Sequence, residues 1–586
     1  MDFGRIFTLV MSRGARRCDK AVMADETKQQ QSLQQLQDIV QPYFEVFRLY
    51  MNDLCEGFEP WQIIIVTFGL TVVLVWLKEF LFQDESLLER AKKFFFRNVR
   101  RLPMVKARIA AEIEKTRNDV EDNFNKGGTI TYMKHLPKQG LSQEKLFRLI
   151  EDYRQLADVN WEKGHCSGTV YSGDPVLTDI ATKVYGIFAW SNPLHSDVFP
   201  DVRKMEAEVV RMCCNMFHGG PDSCGNMTSG GTESILMACK TFRDRAYEKG
   251  IKFPEMLVPV TAHAAFDKAA HAFRIKIKHI PVDSFTMQVD VDAMKKAISR
   301  NTCMLVGSAP GFPHGIMDPI EEISKLGVKY DIPVHVDSCL GGFLVPFMDK
   351  AGFPLAPFDF RLPGVTSISA DTHKYGYAPK GSSVVLYSNK NIRLYQYFVA
   401  PDWPGGIYAT ATLAGSRAGA IVAACWATMV YIGEQGYINS TRQIIQTRQY
   451  IEDGLRQIEG LFVYGKPSVS VIGFGSLDFN IYRLSDMLTS KGWNLNALQF
   501  PSSVHLCVTL LHTKPGVADH FLQEVRQCTA AILKDPNAKC GGMGAIYGMA
   551  QSIPDRSLVS EMVHCFLDGT TSTGPSTSNM TNGSTH

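Results

Sequence analysis

Lys374 sits within the run Ser367-Ile368-Ser369-Ala370-Asp371-Thr372-His373-Lys374-Tyr375-Gly376-Tyr377-Ala378-Pro379-Lys380-Gly381. The run begins as a short strand and breaks into a polar loop. A lysine held between a histidine and an aromatic, beside a glycine, can shed its proton, act as a nucleophilic amine and form a Schiff base with an aldehyde. Most lysines are solvated surface charges. The chemical reading therefore depends on partners elsewhere in the chain.

Three further features supply candidates. His263 directly follows the apolar run at 256–261. It reads either as a hydrogen-bonded loop residue or as an imidazole stacked on a flat ring. Asp337 ends an apolar run within His335-Val336-Asp337-Ser338-Cys339-Leu340-Gly341-Gly342. A buried carboxylate needs a partner. That partner is a pyridinium N–H, a helix N-terminus or a metal. Thr228-Ser229-Gly230-Gly231-Thr232-Glu233-Ser234 opens a helical stretch. Its glycines let the backbone approach an anion, and the helix start offers free amides. No Gly-Lys-Ser/Thr follows, so it is not a nucleotide-binding Walker loop. Together the four features supply an amine, a ring stack, a ring-nitrogen partner and a phosphate cradle, which are the needs of pyridoxal 5'-phosphate.

These residues must be held by an α/β body. From about residue 127, short β-rich runs alternate with helical stretches, as in a parallel sheet with crossover helices. Runs at 256–261, 304–308, 332–336, 365–369 and 383–387 read as buried strands. Segments 233–249, 292–299 and 320–330 read as helices. In open α/β sheets ligands bind beyond the carboxyl ends of strands, where His263, Asp337 and Lys374 fall, while the 228–234 loop opens a helix. Residues 417–435 read as a helix leading to a smaller α/β domain. Its expected order is helix 443–459, strand 469–474, helix 478–491, strand 504–511 and helix 517–533.

On the blocks Ser167-Gly168-Thr169-Val170-Tyr171-Ser172-Gly173, Phe188-Ala189-Trp190-Ser191-Asn192-Pro193-Leu194-His195, the 228–234 loop, Ala262-His263-Ala264-Ala265-Phe266, the 335–342 and 367–381 stretches, Gly405-Gly406-Ile407-Tyr408 and Ala414-Gly415-Ser416-Arg417, the chain resembles pyridoxal-phosphate enzymes of fold type I. Asp371-Thr372-His373-Lys374 points to the group II decarboxylase superfamily. The Tyr171 and 190–195 blocks narrow the likeness to its sphingosine-1-phosphate lyase (aldolase) family, over residues of about 40 to 566. The resemblance implies Lys374 as the Schiff-base lysine, Asp337 on the ring nitrogen and His263 on the ring. It implies Gly230, Gly231, Thr232 and His373 around the cofactor phosphate. Tyr171, His195 and Lys380 become substrate-phosphate and acid–base residues. Gly405 and Gly406 are implied to reach the cofactor site across a homodimer interface. The implied reaction is cleavage of the C2–C3 bond of a sphingoid base phosphate to phosphoethanolamine and a long-chain aldehyde. Ala411 and Ala418 stand where the family commonly has proline. The rival enzyme on this fold is an amino-acid decarboxylase, separable by its carbon dioxide product. A catalytically inert membrane scaffold is the other alternative, and it would show no cofactor absorbance.

Upstream, residues 61–77 (WQIIIVTFGLTVVLVWL) carry no charge. With their flanks they reach the roughly 20 residues a membrane helix needs, and Trp61 and Trp76 suit the two interfaces. Residues 41–60 hold Arg48 against four acids, whereas 78–101 hold seven Lys and Arg. The positive-inside rule then puts the C-terminal body in the cytosol. The expected organisation is a lumenal segment 1–59, a transmembrane helix 60–82 acting as signal-anchor, and a basic linker helix 83–126 beside the bilayer. A cofactor-binding domain follows at 127–435, then a small domain at 436–566 and a disordered tail at 567–586. Endoplasmic reticulum membrane is implied by the resemblance. A net charge of +2 gives no argument for nucleic acid. Fourteen cysteines without CxxC or metal-ligand spacing suit a reducing compartment and no metal site.

Overall fold

The computed structural model describes residues 41–43, 45–81, 87–126, 130–157, 159–538 and 556–573. Contacts divide it into two units, residues 1–106 and 107–586. In the first, residues 45–54, within the expected lumenal segment, are helical. The helix Pro60–Leu81 follows. Its segment Pro60–Leu77 is long and apolar enough to cross a membrane, and none of it is buried by protein. The linker expected as one helix over 83–126 is two, Leu87–Val99 and Pro103–Phe124. Pro103 explains the break, because proline disfavours helical geometry in the residue before it and is accepted at a helix start.

The second unit is built on a seven-stranded sheet: β1 (Cys224–Thr228), β2 (Glu255–Pro259), β3 (Lys276–Ile280), β4 (Thr302–Ser308), β5 (Val334–Ser338), β6 (Val365–Ala370) and β7 (Ser383–Tyr387). Its order is β1-β7-β6-β5-β4-β2-β3, and only β7 runs against the rest. Helices Gly231–Glu248, Ala265–Phe273, Val291–Ala297 and Ile320–Tyr330 connect the strands. Both faces are covered, so strand residues alternate between two cores. Leu257, Leu305, Val334, Val336 and Ile368 fill one, while Met256, Val258, Met304, Val306 and Val385 fill the other. This burial on both faces is why the central strands read as continuous apolar runs. Strands β1 and β3 were not foreseen. β1 is Cys-Gly-Asn-Met-Thr and β3 carries Lys276 and Lys278, so neither shows an apolar run.

A two-stranded hairpin, β8 (Phe398–Ala400) with β9 (Tyr408–Thr410), precedes the long helix Gly419–Arg456. That helix breaks at Gly433, whose φ of 63° favours glycine. A four-stranded antiparallel sheet then forms from β10 (Phe462–Val463), β11 (Val471–Gly475), β12 (Asn496–Leu498) and β13 (Ser503–Cys507), with helices Ile481–Ser490 and Val517–Leu533. The expected disordered tail begins inside a helix, Arg556–Gly569. Gly569 is buried there, and a Cβ on it would lie 2.5 Å from Val120. Phe566 and Phe124 pack with ring centroids 5.5 Å apart. The Gly-rich run 540–550 and residues 574–586 lie outside the described residues.

Candidate active site

The carboxyl ends of the parallel strands β1, β2, β5 and β6 gather most of the candidate residues. Asp337 lies on β5, and Asp371, His373 and Lys374 follow β6 directly. Gly230 and Gly231 follow β1, and His263 follows β2. The parallel direction of these strands converts wide sequence separations into one rim.

At the centre, Lys374 Nζ lies 2.8 Å from Asp371 Oδ2. Burial works to lower the lysine pKa, but the Asp371 carboxylate, with Asp337 adding to it, outweighs it and raises the pKa. The side chain is paired with the Asp371 carboxylate here. Asp337 Oδ1 accepts from the Cys339 amide at 3.0 Å and from Ser369 Oγ at 3.3 Å. Among the described residues nothing bonds its other oxygen, Oδ2.

The helix Gly231–Glu248 starts at the rim with no side-chain cap on its first turn. Its leading amides are therefore directed at whatever anion sits there. Glycine is required at Gly231, because a Cβ would lie 2.8 Å from both Asp371 carboxylate oxygens and from Cys339 Sγ. His373 borders the same turn, with Cε1 3.7 Å from where a Cβ on Gly230 would be. Its Nδ1 meets the Ser382 carbonyl. Burial lowers its pKa against the pull of Asp371. Thr232 lies in the same turn.

A cavity of about 570 Å³ opens beside this rim, lined by Tyr171, Leu177, Tyr185, His373, Tyr377 and Lys380 among others. Lys380 Nζ lies 4.8 Å from the centre of the Tyr171 ring and 3.4 Å from the His373 carbonyl oxygen. Desolvation and the nearby Lys374 ammonium lower the Lys380 pKa. Burial raises that of Tyr171, with Cys507 and Asp371 adding to it.

The structure brings Lys374, Asp337, His373, Gly230, Gly231 and Thr232 to one rim, and Tyr171 and Lys380 to the adjoining cavity. His263 follows β2 at the same rim, and among the described residues no contact ties it, His195, Gly405 or Gly406 to the Lys374 group. His195 is exposed on its loop, its amide donating to the Asn192 carbonyl at 3.0 Å. His263 is also exposed. Its Nδ1 accepts from the Ala265 amide at 3.1 Å, and its ring lies edge-on to Phe312 at 6.4 Å. Gly405 and Gly406 occupy the exposed loop between β8 and β9.

Sequence reasoning assigned no role to four residues that shape the site. Asp371 pairs with Lys374, and its place three residues earlier was a legible signal. Ser369 and His335 contact Asp337 directly or in series. Arg417 forms a two-pronged pair with Glu206 at 2.7 and 2.8 Å, and its amide donates to Asn192 Oδ1 at 3.2 Å. That pair braces the loop bearing His195.

Residues 134–476 match the pyridoxal-dependent decarboxylase conserved domain, so the fold and rim are those of a pyridoxal-phosphate enzyme of the decarboxylase class. A solved glutamate decarboxylase from Lactobacillus brevis superposes with a TM-score of 0.61 at 20% identity, covering 70% of this chain and 97% of its own, which speaks for the fold alone. The sphingosine-1-phosphate lyase structure from Burkholderia pseudomallei gives a TM-score of 0.68 at 40% identity, covering 70% of this chain and 95% of its own. Sphingosine-1-phosphate lyase 1 of Rattus norvegicus is 54% identical over 93% of this chain and 96% of its own. The Saccharomyces cerevisiae sphingosine-1-phosphate lyase is 44% identical over 83% and 84%. The chain belongs to the sphingosine-1-phosphate lyase family. Its cofactor is pyridoxal phosphate, and the residues fit it: an uncapped helix start for the phosphate, a lysine within reach of the same rim, and an unbonded Asp337 oxygen for the ring nitrogen.

Proposed function

We infer that this protein cleaves the C2–C3 bond of sphingosine 1-phosphate and related long-chain base phosphates, releasing phosphoethanolamine and a long-chain aldehyde. The observation that carries the reading is the convergence of Lys374 and Asp337 on one rim, in a chain 54% identical to a sphingosine-1-phosphate lyase. Pyridoxal phosphate, when bound, supplies an aldehyde for amines and an electron sink for the breaking bond. Lys374 is the amine that holds the cofactor and yields to the substrate amine. The Gly230, Gly231 and Thr232 turn and His373 hold the cofactor phosphate, and His263 covers the ring. Lys380, over Tyr171 in the cavity wall, binds the substrate phosphate, and this remote contact orients the breaking bond. Tyr171 or His195 takes the C3 hydroxyl proton, and a proton returns to C2.

The helix Pro60–Leu81 anchors the chain as a single span in the endoplasmic reticulum membrane, which brings the enzyme to a substrate with a lipid tail. The N-terminus lies in the lumen and the catalytic body in the cytosol in this reading, which the charge excess after the span supports. The active form is a homodimer in which Gly405 and Gly406 complete the partner's cofactor site. The exposed Phe398, Val399, Trp403 and Ile407 around that loop support this.

Incubating purified protein and pyridoxal phosphate with a sphingoid base phosphate tests the reading. Aldehyde and phosphoethanolamine in equal amounts are expected. Carbon dioxide from an amino acid, with no aldehyde, overturns it in favour of a decarboxylase.

A further inference from the structure

The period-two alternation of β5 and β6 puts four polar side chains on one sheet face. The register pairs His335 with Ser367 and Asp337 with Ser369. The intervening Val336 and Ile368 belong to the core of the opposite face. The four polar residues thus stand in a square, buried against helices Gly231–Glu248 and Ala265–Phe273, with the His335 ring 5.9 Å from that of Phe266. Burying four such groups is costly unless each is bonded.

They are bonded in series. Ser367 Oγ lies 2.7 Å from His335 Nδ1, and His335 Nε2 lies 3.2 Å from Ser369 Oγ. Ser369 Oγ donates to Asp337 Oδ1 at 3.3 Å. His335 is fully buried, and burial lowers its pKa to about 4 against the pull of Asp337, so the ring is neutral and carries one N–H. Only one tautomer satisfies every contact. With the proton on Nε2, Ser367 donates to Nδ1, Nε2 donates to Ser369, and Ser369 spends its own proton on Asp337. With the proton on Nδ1, Nε2 claims the Ser369 proton, and a bare Ser369 oxygen faces the Asp337 carboxylate.

We propose that Ser367, His335 and Ser369 form a one-way hydrogen-bond relay that fixes His335 as the Nε2–H tautomer and orients the Asp337 carboxylate, so that Oδ2 is presented to the ring nitrogen of the cofactor. The three are positioning residues, acting through Asp337. The proposal deepens the cofactor reading above and rests on it. The relay adds a donor to the oxygen that must not turn toward the ring, in the manner of outer-sphere partners that orient ligating groups elsewhere.

The test compares pyridoxal phosphate with its 1-deaza analogue, in which C–H replaces the ring nitrogen. Affinities are read by absorbance titration of the full-length protein. Ser369→Ala is expected to weaken pyridoxal phosphate by about tenfold, the scale of one hydrogen bond to a charged group. The analogue should bind the variant and the parent alike. His335→Leu should repeat that selective loss. His335→Gln keeps a donor near the Nε2 position and should bind both cofactors as the parent does. Equal weakening of the two cofactors, or no weakening of either, overturns the relay. The His335 pair decides the matter should Ser369→Ala fail to fold. The readout is cofactor affinity, so a wrong substrate assignment shows separately, as absent aldehyde from the parent enzyme.

Discussion

Two lysine–aspartate pairs stand at opposite ends of the same sheet. Lys249 and Asp331 meet at 2.7 Å before the amino end of β5, and Lys374 and Asp371 meet at 2.8 Å beyond the carboxyl end of β6. The distances are alike, but the surroundings are not. In the first pair the side chains are 42% and 83% exposed, and in the second 22% and 2%. Water screens the first pair, so its two charges hardly need each other. The second pair has lost most of its water, and each charge depends on its partner. The Lys249 hydrogen bond lowers the Asp331 pKa, whereas the cluster around Lys374 overcomes a burial effect of opposite sign. Contact distance alone therefore does not separate the lysine at the rim from the surface one. Desolvation does.

The largest effect should follow from removing the buried lysine. Lys374→Ala is expected to abolish the cofactor's bound-state absorbance and to cut turnover by at least roughly a thousandfold. Lys249→Ala should alter neither. Turnover surviving in purified Lys374→Ala protein would end the assignment. The next effect comes from its partner. Asp371→Asn leaves a buried ammonium without its counter-charge, and breaking such a pair costs on the order of 3 kcal/mol. Urea unfolding of the cofactor-free protein measures it. A loss below about 1 kcal/mol would place this pair with ordinary surface pairs.

Much of this contrast was legible in the sequence. The apolar runs of β2, β4, β5, β6 and β7 announced themselves because both sheet faces are covered. Their polar endings then marked the rim. Helix Ile320–Tyr330 came out with its expected bounds, since its apolar residues recur at helical spacing. β1 and β3 were not legible, because neither has an apolar run and their place is fixed by neighbours. The relay was hidden for a related reason. His335, Ser367 and Ser369 look like ordinary strand residues until register pairs them, and that register shifts between Val334 and His335. The ion pair of Lys374 was half visible. The spacing of Asp371 and Lys374 suggests contact, but its burial depends on the packing of Gly231 and Cys339.

Acid should reveal the buried side of the comparison before the exposed side. Burial lowers His314, His335, His505 and His512 to about 4 each. A group whose folded pKa lies below its unfolded value of about 6.5 takes up protons more readily when unfolded. Stability from these four is thus full above about pH 6.5 and falls as pH drops toward 4. Asp318, raised to about 6 by burial against two backbone hydrogen bonds, acts in the opposite sense over part of that range. Four groups outweigh one, so the urea midpoint is expected to fall between pH 6.5 and 4.5. His335→Gln should make the fall shallower. The depressed pKa of Asp331 lies below this window, so the exposed pair adds nothing to it. A midpoint that stays level would show that the four rings are hydrated.

The smallest effect should come from the exposed pair itself. Asp331 closes helix Ile320–Tyr330 in the left-handed region, with φ of 52°, and its carboxylate reaches Lys249. Asparagine tolerates that backbone geometry well and often ends helices in this way. Asp331→Asn removes the charge and keeps the conformation, so only the screened attraction is lost. Exposed pairs contribute about 0.2 to 1 kcal/mol. The variant should therefore differ from the parent by no more than about 0.5 kcal/mol in urea unfolding at low salt, and the two should converge in 1 M salt, where screening acts over about 3 Å. Turnover should be unchanged. A cost that approaches that of Asp371→Asn and persists in high salt would mean that burial does not distinguish the two pairs.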